Sequence, residues 1–274
     1  MCEFCLKHGE GEKWYLQAKN YSDDLLSDIR RRKFIEGFAD PEVMSRGIRA
    51  FDRIERTPKF IRGLIRRITT QRMKKIHFGQ VVPIEDIEKI FGFVNSIVRV
   101  ACICRNITLG KEKRYCYGIS MAPNGWEFGD ILRDNSMGLA PYASGFESLK
   151  KEEALAAFRE HELDGLCHSV WTFHTPFIGG ICNCDRSDCL AMRATLTHAT
   201  HVMFRSEYVA AVDNDSCTGC RECMRVCQFG GITYSASNKK TVIDKKWCYG
   251  CGICRSVCKR DAIRLEDRAV TPVA

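Results

Sequence analysis

Two runs of cysteine constrain this chain more than any other feature of it. Residues 217–227 read CTGCRECMRVC and residues 248–258 read CYGCGICRSVC, so each is C-x2-C-x2-C-x3-C. The second run begins 31 residues after the first (248 − 217), which makes the pair an internal repeat. The spacing has a physical reason. Three cysteines on a tight turn present three thiolates and several backbone N–H groups to one cubane core, while the fourth, on a short helix, points towards a second core. Gly219, Gly250 and Gly252 let the backbone come close. Two zinc knuckles are the competing reading, and four cysteines per run at this spacing, twice over, fit them poorly.

The rest of the composition agrees with metal rather than disulfides. The chain has 17 cysteines among 274 residues, an odd number that cannot pair completely. The opening MCEFCLKHGEGEKW lacks a basic start followed by an apolar stretch, and no segment reaches the roughly 18 apolar residues of a membrane span. The expectation is a cytoplasmic protein in a reducing compartment, where clustered thiols bind metal. The formal charge of +8 counts those thiols as neutral. Two four-iron cores with thiolate ligands, at about −2 each when oxidised, bring it to roughly +4, so the working protein is only mildly basic.

Over about residues 208–266 the chain resembles the bacterial two-cluster ferredoxins. The resemblance implies two [4Fe-4S] clusters with crossed ligation: Cys217, Cys220, Cys223 and Cys258 on one, and Cys248, Cys251, Cys254 and Cys227 on the other. The downstream DAIRLE matches the short strand that follows the second run in that family. The chain departs from the pattern at Gln228 and Lys259, where those ferredoxins usually carry proline.

Eight cysteines are thereby assigned and nine remain. Cys102 and Cys104 in SIVRVACICR are expected to project from one face of a strand, and Cys182 and Cys184 in GGICNCDRSDC repeat the C-x-C spacing about 80 residues later. Two such pairs supply four thiolates, the complement of a third iron–sulfur cluster; Cys189 is an alternative ligand and Cys116 a spare. Zinc, mononuclear iron, and buried thiols without metal are the other readings. VACICR, GLCHSV and GGICNCDRSDC ahead of a dicluster module resemble a broad group of iron–sulfur proteins of anaerobic bacteria and archaea, over most of residues 80–266. That resemblance implies a further cluster in the middle of the chain. Cys2, Cys5 and His8 are a weaker metal candidate. His168 is a candidate ligand or proton donor, His174 lies close by, and Trp171, Phe173 and Phe177 are expected to form an apolar shell around the third site.

The fold class expected is α+β in three parts: an N-terminal basic helical segment over 1–79, a central α/β domain over 80–207, and a ferredoxin-like two-cluster domain over 208–274. From Arg30 to Lys75 there are fifteen Lys/Arg against five Asp/Glu. Ile48, Phe51, Ile54, Phe60, Leu64, Ile65 and Ile68 recur near helical spacing there, giving one apolar face. The basic face, including Arg62, Arg66 and Arg67, is expected either to be solvated or to dock an acidic partner; no nucleic-acid recognition motif accompanies it. A helix is expected from Pro83, strands at 114–121, 166–173 and 202–212, a helix at 148–163, and a long loop over 122–147.

Fully thiolate-ligated clusters have no open position, so their chemistry is one-electron movement. No G-x-G-x-x-G or G-x-x-x-x-G-K-[ST] motif offers a nucleotide site. The leading expectation is a multi-cluster electron-transfer protein serving a larger redox enzyme in anaerobic metabolism. A reductase with its own active site at the third centre is the alternative, and a redox-responsive nucleic-acid-binding module is the second.

Overall fold

A computed structural model describes residues 2–38, 42, 46, 49, 53–122 and 147–271. The loop expected over 122–147, apart from its end residues, and the helical positions Ile48 and Phe51 lie outside the described residues.

The chain opens with α1 (Glu3–His8), two short 3-10 turns (Trp14–Leu16 and Ala18–Tyr21), α2 (Asp23–Leu26), α3 (Ile29–Phe38) and α4 (Lys59–Ile76). Phe4, Trp14, Tyr15 and Tyr21 are buried in one core with Phe78, Phe91, Phe158 and Ile178. A ring such as Phe4 contributes roughly 1.5–3 kcal/mol when buried, so the first 21 residues are fastened to the centre of the molecule. Helix α4 has no buried residue among those described; Phe60, Leu64 and Ile68 face outward. Arg62 and Arg66 pair with Glu55 at 3.2 and 2.6 Å, while Arg67 is exposed.

The centre is a seven-stranded sheet of β1 (Gly79–Val81), β2 (Ser96–Val100), β3 (Cys116–Ser120), β4 (Glu147–Ser148), β5 (Cys167–Thr172), β6 (Ile178–Cys184) and β7 (Met203–Phe204). Their order is β4-β2-β3-β6-β5-β1-β7. Every pairing is antiparallel except β1 with β7, so the sheet is mixed and the architecture α+β. All six residues of β5 are buried, as a strand covered on both faces requires. Helices α5 (Ile84–Phe93) and α7 (Lys151–Leu163) cover one face, with Phe91 edge-on to Phe158 at 5.3 Å. Pro83 is the cap of α5 rather than its first residue, and Asp86 of the acidic first turn is buried, accepting from Tyr15 at 2.9 Å and Tyr208 at 3.1 Å. The opposite face of β5 and β6 carries Cys167, Ser169, Trp171, Cys182 and Cys184 and looks towards α6 (Ile103–Leu109), α8 (Leu190–Met192) and the C-terminal module.

That module is two hairpin-like ladders bearing two short helices. β8 (Tyr208–Val212) pairs antiparallel with β11 (Ile263–Asp267), and β9 (Ile232–Ser235) with β10 (Lys240–Ile243). Helices α9 (Glu222–Val226) and α10 (Ile253–Ser256) follow the first cysteines of each run. The single strand expected over 202–212 is two strands in different sheets, because Arg205–Glu207 turns the chain from β7 into the module. No helix among the described residues is long and apolar enough to cross a membrane.

Candidate metal centre

Each cysteine run closes over a glycine that no other residue can replace. Gly219 and Gly250 occupy equivalent positions with φ of +69° and +70°. A Cβ on Gly219 would stand 2.2 Å from the Lys239 carbonyl oxygen, and one on Gly250 would stand 2.1 Å from that of Tyr208. The neighbouring backbone thus presses each loop inward, and a side chain would force it apart. Inside, Cys227 from the first run and Cys248, Cys251 and Cys254 from the second line one apolar hollow partly open to solvent, with Phe229 and Ile253 in its wall. Phe229 stacks on Tyr249 at 4.0 Å between centroids. Burial pushes the Cys251 thiol up to about 12, and Cys248 and Cys227 add to it. The thiolate form there needs a cation or a cationic core, and four thiols around an apolar hollow suit a cubane well.

The other set gathers around Cys223. Burial raises its pKa, Thr241 lowers it, and the thiols of Cys220, Cys217 and Cys258 raise it further, so all three lie near Cys223. Thr241 Oγ1 lies 3.4 Å from Cys217 Sγ. The Ala262 N–H reaches Cys258 Sγ at 3.3 Å and the Ala210 N–H reaches Cys248 Sγ at 3.4 Å; such amides stabilise thiolates and tune any cluster they hold.

The central cysteines are arranged differently from the sequence expectation. Strand β2 ends at Val100; Cys102 is the N-terminal cap of α6 and Cys104 lies in its first turn, so this pair does not project from one strand face. The β-branched run stops where Lys113 O takes the Cys102 N–H, at 2.7 Å, and the chain turns into a helix. Cys182 and Cys184 do share a face of β6. The structure then adds Cys116 and Cys189 to the four. Cys182 Sγ is 3.4 Å from Cys116 Sγ; Cys116 contacts Cys102, which contacts Cys104. Cys104 contacts Cys189, and Cys189 contacts Cys184, closing a six-thiol group on β6. Cys102 is held far below the ordinary thiol value by the Cys104 and Cys116 thiols and by Arg105.

Arg105 is the charged side chain that the sequence reading missed. It is 3% exposed, donates to the Asn183 carbonyl at 3.2 Å, lies 3.7 Å from Cys102 Sγ and is ion-paired with Asp185. It therefore joins the α6 half of the thiol group to the β6 half. An arginine directly after C-x-C was its only sequence signal.

His168 is not near these thiols. It alternates to the other face of β5, where its Nδ1 lies 2.6 Å from the Asn183 side-chain oxygen and its Nε2 3.7 Å from Glu162. His174 sits at a turn with φ +55°, its carbonyl taking Arg31. Trp171 packs with Cys167, Cys184 and Cys189 as expected, but Phe173 and Phe177 pack instead on Ile35 of α3. His8 stands beside Trp14, whereas Cys2 and Cys5 have Glu207 as their neighbour, with ligand atoms of the three within 4.8 Å of one another.

Two contacts join the module to the central thiols. Cys167 is buried in one apolar cluster with Cys184 and Cys189 of the six-thiol group and with Cys251 of the second run, and both Cys251 and Cys189 add to the desolvation that raises its thiol. Gln228, where the ferredoxins usually have proline, donates to Gly165 O at 2.7 Å and accepts from the Arg186 N–H at 2.9 Å. A proline there would provide neither bond. A search among curated proteins finds no match to the chain. Residues 216–263 match the family model of the 4Fe-4S dicluster domain, which supports iron–sulfur clusters as cofactors and iron–sulfur electron transfer as the chemistry of this region.

Proposed function

We propose that this protein is a multi-cluster electron carrier, a subunit or dedicated donor or acceptor for a larger redox enzyme, holding two [4Fe-4S] clusters crosswise and a third iron–sulfur cluster on the six-thiol group. The observation that carries the reading is the unbroken apolar cluster linking the two regions: Phe229, Tyr249, Ile253 and partly buried Cys251 on the module side meet Cys167, Trp171, Cys184 and Cys189 on the sheet side. The hollow lined by Cys227, Cys248, Cys251 and Cys254 supports the crossed ligand set. When bound, the clusters supply one-electron redox chemistry. The residues of the chain hold thiolates, keep water from the space between the centres and fix their separation through Gln228 and Cys167.

In the central site Cys102, Cys104, Cys182 and Cys184 remain the proposed ligands, with Cys189 and Cys116 able to replace one of them. Six thiols exceed what one cubane takes, a surplus that permits but does not demand the second reading, a reductase whose third centre keeps a ligand position for substrate. His168 gives that reading no help from the far face of the sheet. The partner of the carrier is proposed to present an acidic surface to α4.

Iron and acid-labile sulfide per chain, after anaerobic purification, test the proposal. Wild-type protein should hold about twelve irons and Cys182→Ser about eight, the content of the dicluster module alone. Wild-type protein with about eight irons, or with zinc in the central thiols, refutes the third cluster. A change in the spectrum of the third centre on adding substrate would replace the carrier by the reductase.

A further inference from the structure

We infer that Cys2, Cys5 and Glu207 form a mononuclear zinc(II) site, separate from the iron–sulfur centres, that clips the N-terminus to the base of the dicluster module. Cys2 caps α1 and Cys5 lies one turn on, so the two thiols share a face with Sγ atoms 3.3 Å apart. Glu207, at the entrance to β8, brings its carboxylate to them from 202 residues away (207 − 5), all three ligand atoms lying within 4.8 Å of one another. Zinc with Zn–S of about 2.3 Å in a tetrahedron spaces two thiolates roughly 3.8 Å apart, so the pair needs to open by only about half an ångström. Two thiolates and one carboxylate cannot fill four corners of a cubane. They fill three of four positions around one ion, with water as the fourth on the side of half-buried Cys2.

Glu207 provides an independent observation. It is 5% exposed and has no ion pair among the described residues. Its nitrogen donors there are the Cys2 N–H and the Gln80 amide, each at 3.2 Å, and the Cys2 and Cys5 thiols are hydrogen-bonded to it as well. Gln80, fully buried, also places its amide 3.8 Å from Cys2 Sγ and accepts from the Trp14 indole. A buried carboxylate without an ion-pair partner among the described residues is suited to a cation. A disulfide would take both thiol donors away from the carboxylate, whereas one divalent cation binds the two sulfurs and the carboxylate together. The site also touches the module: the Arg268 N–H bonds the Glu207 carbonyl at 2.8 Å, its guanidinium donates to the carbonyls of Tyr208 and Cys248, and the Glu207 carboxylate helps to hold it charged. A metal here therefore fixes β8, which leads into the first cysteine run and packs against the second, the Ala210 N–H reaching Cys248 Sγ.

The test uses the full chain, purified anaerobically with its iron intact and supplied with one equivalent of zinc(II). The expected result is about one tightly held zinc per chain, with a zinc-edge absorption spectrum showing two sulfur and two oxygen or nitrogen neighbours. Cys5→Ala and the isosteric Glu207→Gln should each weaken zinc binding by at least about tenfold, with iron and labile sulfide unchanged. Because iron is counted separately, loss of the third cluster would leave this result standing. No bound zinc, four sulfur neighbours, unchanged zinc affinity in Glu207→Gln, or a Cys2–Cys5 disulfide in the anaerobic protein would each overturn the inference.

Discussion

Removing the charge of Arg105 while keeping its length, Arg105→Met, perturbs the central thiol group without touching a cysteine. In the native chain this guanidinium is almost wholly buried and binds Asp185, the Asn183 carbonyl and, at 3.7 Å, the Cys102 thiol. Burial alone would lower its pKa, but Cys102 and Asp185 outweigh that and hold it charged. Breaking one partner of a buried pair costs about 3–5 kcal/mol, because the surviving charge is left uncompensated. The low end applies here: Asp185 is partly exposed and keeps the Ser187 hydroxyl at 2.8 Å and the Asp188 N–H at 2.7 Å. About 3 kcal/mol corresponds to a fall in Tm of roughly 6–12 °C for a chain of this size. Arg105→Lys should fall between, since an ammonium cannot reproduce the planar fork. Anaerobic thermal unfolding followed by circular dichroism, with parallel release of iron, is the assay. A variant that melts within about 2 °C of the wild type would refute the view that Arg105 joins the two halves of the site.

Cys227→Ala should expose Cys248, Cys251 and Cys254 to alkylation while Cys217, Cys220 and Cys223 stay protected, read by mass spectrometry; the reverse pattern would sink crossed ligation. His77 and His161, which burial above all pushes down from 6.5 to about 4, stay neutral in the fold and take up protons once unfolded. Between pH 6.5 and about 4 the unfolded chain binds more protons, so stability is complete above that window and falls as pH drops through it. His161→Gln should flatten the dependence of Tm on pH, and an unchanged slope would count against this assignment. Reversing the exposed Arg67 and Arg72 to Glu should slow electron exchange with the physiological partner at low salt without changing iron content. The difference should vanish near 1 M salt, where screening acts over about 3 Å, and equal rates at low salt would make α4 a solvated face.

The dicluster module was legible in the chain because its information is local. A run of C-x2-C-x2-C-x3-C places each thiol relative to its neighbours through a few backbone angles, and Gly219 and Gly250 sit where those angles turn positive. The helices at 84–93 and 151–163 and the strand at 167–172 were readable for a similar reason, since capping and burial patterns repeat within a few residues. Periodicity misled where apolar residues continued past the end of a strand: Val100 closes β2, Cys102 gives its N–H to the Lys113 carbonyl, and the helix begins at Ile103. Spacing offered Cys116 and Cys189 only as spares, and the fold decided that both join the central thiols. Cys116 meets Cys182 only because β3 pairs with β6 in that register, and Cys189 arrives on the turn ahead of α8. Tertiary structure likewise turned His168 away and put Glu207 beside Cys2 and Cys5. Spacing within a run fixes which thiols can share one turn. Which distant groups share one buried space depends on strand order and register, and these are set by packing across the whole sheet.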